Sequence, residues 1–463
     1  MIEFRDIEGI YFVGIGGIGM SALALYYKIN GYTVAGYDRC GNTITQSLSD
    51  AGCEISYYDD INKLPDLFSN TLHKEMVIIV YTPAIPSDNE ILTYFNKNGY
   101  KIYKRSEVLG AISMKTETLA VAGTHGKTTV STMIAHLLRQ SHVDCSAFLG
   151  GISKNYNSNL LLSEGKYTVI EADEFDRSFL RLKPFMAVVT SLDADHLDIY
   201  GDYGSMIKAY NEFCNMIRQG GTLVVNGKIR KKIDVPAGVK CFTYGTDDDV
   251  NYQAYNIEHR KEYYSFDIRT PDTIIEDLHY MLPGIINIEN ITAAIAIALL
   301  CGVTEEEIRR AVMLFQGVRR RFDIRINRPD LVYIDDYAHH PEEIKTFITS
   351  VKEYFRGRRF TGIFQPHLYS RTRDHADGFA ASLDLLDEVI LLPVYPAREK
   401  PIEGVTSELI INKMRIERKE LLEKSDIPGK LDIKNIDVLI TIGAGDIDML
   451  VGPIEDAIKK ERM

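Results

Sequence analysis

Residues 118–129 read Thr-Leu-Ala-Val-Ala-Gly-Thr-His-Gly-Lys-Thr-Thr. An apolar, β-prone run, Thr118–Ala122, enters a glycine turn that leads into a helical pattern. In that context Gly123-Thr124-His125-Gly126-Lys127-Thr128-Thr129 predicts a phosphate loop for ATP. The glycines let backbone N–H groups close around phosphate oxygens. The Lys127 ammonium neutralises the β and γ oxygens, and the Thr128 hydroxyl faces Mg²⁺. The usual GxxxxGK[ST] spacing is absent, because only Thr124 and His125 separate the two glycines.

Towards the N-terminus lies a second glycine loop, Gly14-Ile15-Gly16-Gly17-Ile18-Gly19. It follows the apolar run Ile10–Val13 and precedes a helical pattern over Met20–Asn30. Asp38 ends the next strand, Thr33–Tyr37, 19 residues after Gly19. Glycines that admit a pyrophosphate to a helix N-terminus, with an acid placed for ribose hydroxyls, form the dinucleotide fingerprint. Read alone, the loop suggests NAD and an oxidoreductase. A UDP-sugar presents the same diphosphate and ribose groups, and hydride transfer needs no ATP loop. The 19 residues Gly9–Tyr27 carry no charge but contain five glycines. They read as a buried strand, loop and helix rather than a membrane span.

Strands alternating with helical patterns imply parallel, doubly wound sheets. The expected fold is α/β in three domains. Residues 1–114 form a Rossmann-like domain for a UDP-sugar, and residues 115–323 a central domain of the P-loop ATPase type. Residues 324–463 form a Rossmann-like domain for an amino acid. The stretch from Ile229 to His279 is polar, Tyr-rich and alternating, and predicts an antiparallel β insertion. Helices are expected at Ile288–Leu300 and Glu305–Phe315, the second capped by Thr304, and another should open at Pro341.

Composition bounds the function. The 463 residues are 45% apolar and 25% charged, a globular mix, with 65 acidic against 53 basic residues and a net charge of −12. That balance opposes a general nucleic-acid coat protein. Six scattered cysteines without a CxxC pair argue against a zinc ribbon or a disulfide framework and fit a reducing cytoplasm.

Further motifs complete the reading: EADEFDRSFL at Glu171–Leu180, DADHLDIYG at Asp193–Gly201 and PGIINIEN at Pro283–Asn290. FQGVRRRFD spans Phe315–Asp323, DDYAHHP Asp335–Pro341 and FQPHLYSRTRD Phe364–Asp374. With the two glycine loops, in this order, the chain resembles the Mur ligases of bacterial peptidoglycan synthesis over its whole length. The resemblance implies that ATP phosphorylates the lactyl carboxylate of UDP-N-acetylmuramate. The amine of L-alanine then attacks the acyl phosphate. ATP and Mg²⁺ are the implied cofactors, in a cytoplasmic enzyme without membrane insertion, as a monomer or weak homodimer.

By family position Lys127 acts on the transferring phosphate, Glu171 and His196 join Thr128 at magnesium, and Arg321 is directed at the phosphates. Asn287 and Asn290 hold the adenine and Asp336 anchors the ribose side of ATP. Tyr337, His339 and His367 accompany Arg371, which grips the amino-acid carboxylate. Arg319 reads as a solvated charge. Ile286, Leu368 and Thr82-Pro83 depart from family residues. No lysine after Gly201, Lys208 included, matches the carbamylated lysine of other members. The alternatives are a recycling ligase that attaches a tripeptide to the same UDP-sugar and, from the first loop, an NAD-dependent oxidoreductase.

Overall fold

A computed structural model describes residues 6–194, 197–260, 263–397 and 399–461. The chain divides into two compact units, residues 1–280 with 288–315, and residues 281–287 with 316–463.

The first unit holds two sheets. Five parallel strands run in the order Glu54–Ser56, Thr33–Tyr37, Gly9–Val13, Val77–Tyr81, Lys101–Lys104. Strand order reverses at Gly9–Val13, so a crevice opens beyond its carboxyl end, where ligands of doubly wound sheets bind. The glycine loop fills that position. Every residue of Gly9–Val13 is buried, and helix Ile18–Ile29 packs over it.

The second sheet has ten strands, with Glu117–Ala122 between Tyr167–Glu171 and Met186–Val189, all parallel. Both faces of this central strand are covered, which is why it reads as an unbroken apolar run. Helix Lys127–Arg139 follows the phosphate loop and buries Val130, Met133, Ile134, Leu137 and Leu138.

The expected insertion is antiparallel only in part. A 3₁₀ turn, Gly227–Lys232, carries the chain across to Lys240–Gly245, which pairs in parallel with Thr222–Asn226 and with Tyr252–His259. Only Tyr252–His259, Tyr264–Arg269 and Ile274–Tyr280 form an antiparallel meander. Alternation of polar and apolar residues is the same for either strand direction, so the pattern could not separate the two. Helix Ile285–Leu300 starts one turn earlier than Ile288. Thr304 caps Glu305–Leu314 with a reciprocal bond from Glu307, while Phe315 is already extended.

The second unit carries a six-stranded sheet in the order Asp323–Asn327, Val332–Asp336, Val438–Ile442, Phe360–Phe364, Glu388–Leu391, Lys419–Leu421. All pairings are parallel except at the first strand, which is antiparallel to its neighbour. Pro341 opens helix Pro341–Tyr354, as its fixed φ and missing N–H favour. No helix among the described residues is long and apolar enough to cross a membrane.

Candidate active site

The phosphate loop is pinned to the end of the neighbouring strand. Thr124 N–H donates to the Ser191 carbonyl at 3.2 Å and His125 N–H to Ser191 Oγ at 2.7 Å. The Thr190 hydroxyl donates to the His125 carbonyl. Gly123 has φ +143°, and a Cβ there would lie 1.9 Å from Thr190 Oγ1, so no side chain fits. Gly126 caps the helix at φ +81°, a left-handed conformation that suits glycine. Lys127 therefore becomes the first residue of the helix and points back into the loop.

Lys127 Nζ donates to Glu174 Oε1 at 2.8 Å and to the Gly123 carbonyl at 2.7 Å. Its side chain is 15% exposed and that of Glu174 is 2% exposed, so this ion pair is buried. Burial works against the Lys127 charge, but Glu174 and then Glu171 outweigh it and raise its pKa above the usual lysine value. Thr128 donates its hydroxyl to Glu171 Oε1 at 3.1 Å, and Glu171 Oε2 accepts from Gly150 N–H at 3.1 Å. Glu171 is the last residue of strand Tyr167–Glu171, as its position after an apolar run predicts. Asn290 lies against the loop, with Oδ1 3.0 Å from where a Gly126 Cβ would stand. Thr129 is half-buried in the first helical turn. His196 lies outside the described residues. Lys208 is exposed on helix Tyr203–Cys214.

At the first glycine loop, Gly14 has φ +90° and donates its N–H to the Tyr37 carbonyl at 2.7 Å. Gly17 caps the helix. Asp38 Oδ2 accepts the N–H of Gly16 at 2.7 Å, and a Cβ on Gly16 would meet that carboxylate at 2.8 Å. The acid expected at a ribose thus also braces the loop.

In the second unit, Asp336 ends strand Val332–Asp336 and is buried. Its two oxygens accept Phe322 N–H at 2.7 Å and Ala338 N–H at 2.8 Å. Burial pushes its carboxyl up to about 6, against the pull of Arg321. Arg320 and Arg321 each hold a guanidinium 5.0 Å from the Tyr337 ring centre, while Arg319 is exposed as expected. His339 is bonded through Nδ1 to the Tyr337 carbonyl at 3.0 Å. Burial lowers its imidazole to about 4; Glu343 opposes the shift and Arg371 adds to it. The His367 ring lies 6.2 Å from that of His339 and stacks on Tyr395 at 5.8 Å. Asn287 donates its amide to the Pro283 carbonyl at 2.6 Å, at the start of its own helix.

Arg371 sits on helix Tyr369–Asp374, half-buried. Among the described residues its guanidinium has no hydrogen bond or ion pair. Arg373, two residues on, is paired to Asp374 at 2.7 Å. Glu399 fixes the Arg371 helix by accepting Ser370 N–H at 2.9 Å. Sequence reasoning missed Glu174, Thr190, Ser191, Tyr395 and Glu399. Glu174 lies inside the EADEFDRSFL motif, but three acids within four residues give no sign of which one faces the lysine.

Sequence profiles of three domains match in this order: "Mur ligase family, catalytic domain" over residues 9–116, "Mur ligase middle domain" over 121–298, and "Mur ligase, glutamate ligase domain" over 320–446. The chain belongs to the Mur ligase family. Among relatives, a UDP-N-acetylmuramate–L-alanine ligase of Parabacteroides distasonis is 46% identical over 99% of both chains. One of Porphyromonas gingivalis is 48% identical over 98% of this chain and 99% of its own. Among solved structures, UDP-N-acetylmuramate-alanine ligase MurC of Thermotoga maritima superposes with a TM-score of 0.83 at 26% identity. That match covers 98% of this Mur ligase and 99% of the Thermotoga chain. A murein peptide ligase of Psychrobacter arcticus shares the fold at TM-score 0.71 and 23% identity, over 97% and 98% of the two chains.

Proposed function

We propose that this Mur ligase joins L-alanine to the lactyl carboxylate of UDP-N-acetylmuramate at the expense of ATP. The products are UDP-N-acetylmuramoyl-L-alanine, ADP and phosphate, made in the cytoplasm for peptidoglycan synthesis. The observation that carries this reading is the extent of likeness: relatives bearing that name are 46–48% identical over 98–99% of the chain. The tripeptide-adding alternative has weaker support, since a ligase of that name is 25% identical over 68% of the chain, and an oxidoreductase leaves the phosphate loop without a purpose. In this reading residues 1–114 bind the UDP-sugar, residues 115–323 ATP and residues 324–463 the amino acid.

The glycine loop Gly14–Gly19 takes the diphosphate through backbone N–H groups, with Asp38 at its side. The phosphate loop takes ATP. A carboxylate attacking the γ-phosphate gathers negative charge at one point, so fixed positive charge there lowers the barrier. Lys127, held protonated by its acidic neighbours, supplies it once ATP replaces Glu174 as its partner. The Thr128 hydroxyl and Glu171 carboxylate, 3.1 Å apart, are hard oxygen donors and fit Mg²⁺, and family position assigns His196 to the same ion. Bound there, Mg²⁺ would neutralise phosphate oxygens. Arg321 would face the phosphates, Asn287 and Asn290 the adenine, and Asp336 the ribose.

Arg371 meets the carboxylate of L-alanine with two parallel N–H···O bonds, which leaves the amine free to attack. His339 is near enough to feel the Arg371 charge, and Tyr337 and His367 adjoin His339; all three are assigned to the same amino-acid site. His339, neutral near pH 7, adds no second charge to compete for that carboxylate. The acyl-phosphate route is tested with ¹⁸O in the lactyl carboxylate of UDP-N-acetylmuramate. One labelled oxygen should appear in the released phosphate; label retained wholly in the product would overturn it.

A further inference from the structure

Arg105 is the first residue of helix Arg105–Ser113, which follows the edge strand of the five-stranded sheet. Its side chain is only 17% exposed. It faces two ways. Nη2 donates to Asp173 Oδ2 at 2.8 Å, across to the segment that follows strand Tyr167–Glu171. Nη1 lies 2.6 Å from where a Cβ on Gly19 would stand, so it occupies the space that glycine leaves at the end of the diphosphate loop. Among the described residues, Nη1 and Nε make no hydrogen bond.

Asp173 lies between the two carboxylates of the ATP side, Glu171 at Thr128 and Glu174 at Lys127. It also shapes the turn they share. Its Oδ1 accepts Phe175 N–H at 3.0 Å and its carbonyl accepts Phe179 N–H at 2.8 Å. The same turn holds Asp176 and Arg177 in left-handed conformations, φ 53° and 52°, which non-glycine residues adopt only where surroundings enforce them. A second strap, Lys104 Nζ to Asp176 Oδ2 at 2.8 Å, is one-third exposed on both sides and screened by water. Arg105 is the less exposed cation of the two, 17% against 38% for Lys104, while Asp173 and Asp176 are exposed to about the same degree.

We propose that Arg105 is a positioning residue that couples the UDP-sugar site to the ATP site. Its Nη1 binds the diphosphate at Gly19, while Nη2 holds Asp173 and with it the Glu171–Glu174 turn. A planar guanidinium can serve both partners at once; a lysine ammonium cannot span them in fixed directions. Coupling of this kind is reciprocal, so each ligand should tighten the other by the same factor. The inference rests on the reading of Gly14–Gly19 as the UDP-sugar loop.

The test is calorimetric binding of UDP-N-acetylmuramate, with and without a non-hydrolysable ATP analogue and Mg²⁺. The proteins are wild type, R105A, R105K, D173N, the double variant R105A/D173N and K104M, with circular dichroism on each. R105A should weaken the UDP-sugar roughly ten- to hundredfold, the range for losing a charged hydrogen bond. It should also abolish the tightening by the analogue. R105K should restore part of the affinity but not the coupling. D173N should keep most of the affinity yet lose the coupling, and the double variant should couple no less than R105A alone. K104M should stay within twofold of wild type throughout. Wild type that fails to bind the UDP-sugar would refute the loop assignment itself. Wild type that binds, with R105A or R105K binding and coupling equally well, would refute the role of Arg105 and leave that assignment standing. If R105A alone unfolds, R105K and D173N still decide the matter through their coupling.

Discussion

Lys127 and Arg371 are the two cations on which the proposed reaction turns, and the fold treats them in opposite ways. Lys127 is largely covered, its side chain 15% exposed, and is already paired, with Glu174 at 2.8 Å and a backbone carbonyl at 2.7 Å. Arg371 is half-exposed and, among the described residues, has no hydrogen bond or ion pair. The difference matches what each would meet. A polyanion that brings Mg²⁺ can displace an internal carboxylate, and the internal pair keeps the lysine charged until then. A single amino-acid carboxylate in exchange with water could not repeat that displacement, so its partner is kept open.

The largest effect should come from the paired cation. K127M should lower kcat by about 10²–10³-fold or more, as loss of a charge aimed at a transition state does. Binding of UDP-N-acetylmuramate should stay near wild type in calorimetry. Equal loss of both would break the division between the two loops. R371A should raise the KM for L-alanine by roughly a hundredfold, with R371K recovering only part, because a bidentate carboxylate contact is lost. Initial rates at varied alanine and fixed ATP measure this. A change confined to the KM for ATP would reverse the assignment of the open cation.

Stability should then separate the pair from the open charge. E174Q removes the nearest counter-charge of Lys127, leaving the more distant Glu171, and should cost about 2–4 kcal/mol in urea unfolding of the ATP-free protein. ATP with Mg²⁺ should recover more stability in E174Q than in wild type. R371A removes no hydrogen bond or ion pair among the described residues and should cost less than E174Q, about 1 kcal/mol or under.

The smallest effect concerns pH. His339 titrates near 4 when folded and near the usual 6.5 when unfolded. The unfolded chain therefore binds the extra proton first, and His339 costs stability as pH falls from 6.5 through 4. Asp335 and Asp336, each raised to about 6 by burial, act in the opposite sense between 3.8 and 6. H339Q should remove only the first component, so unfolding curves of the variant should lose less stability than wild type between pH 6.5 and 5. Identical slopes would show that His339 is not held neutral.

Much of this was legible in the sequence, for local reasons. Both glycine loops follow an apolar strand and open a helix, and the structure has both, because chain geometry at such turns is set by neighbouring residues. Thr304 and Pro341 likewise mark helix starts through their own chemistry. Pairing direction at Lys240–Gly245 was not legible, since it depends on a crossover rather than on alternation. Nor was the Lys127–Glu174 pair, which joins residues 47 apart through the order of strands. Asp38 shows a third case: its residue type was read for a ligand, and it also bonds the loop beside it.

The central claim is the acceptor. The most direct measurement is phosphate release from ATP and Mg²⁺ with UDP-N-acetylmuramate, comparing L-alanine, the tripeptide and no acceptor, with the mass of the product read alongside. The account predicts release that depends on L-alanine and a product heavier by one alanyl residue. Release only with the tripeptide, or none with any acceptor from folded protein that binds ATP, would contradict it.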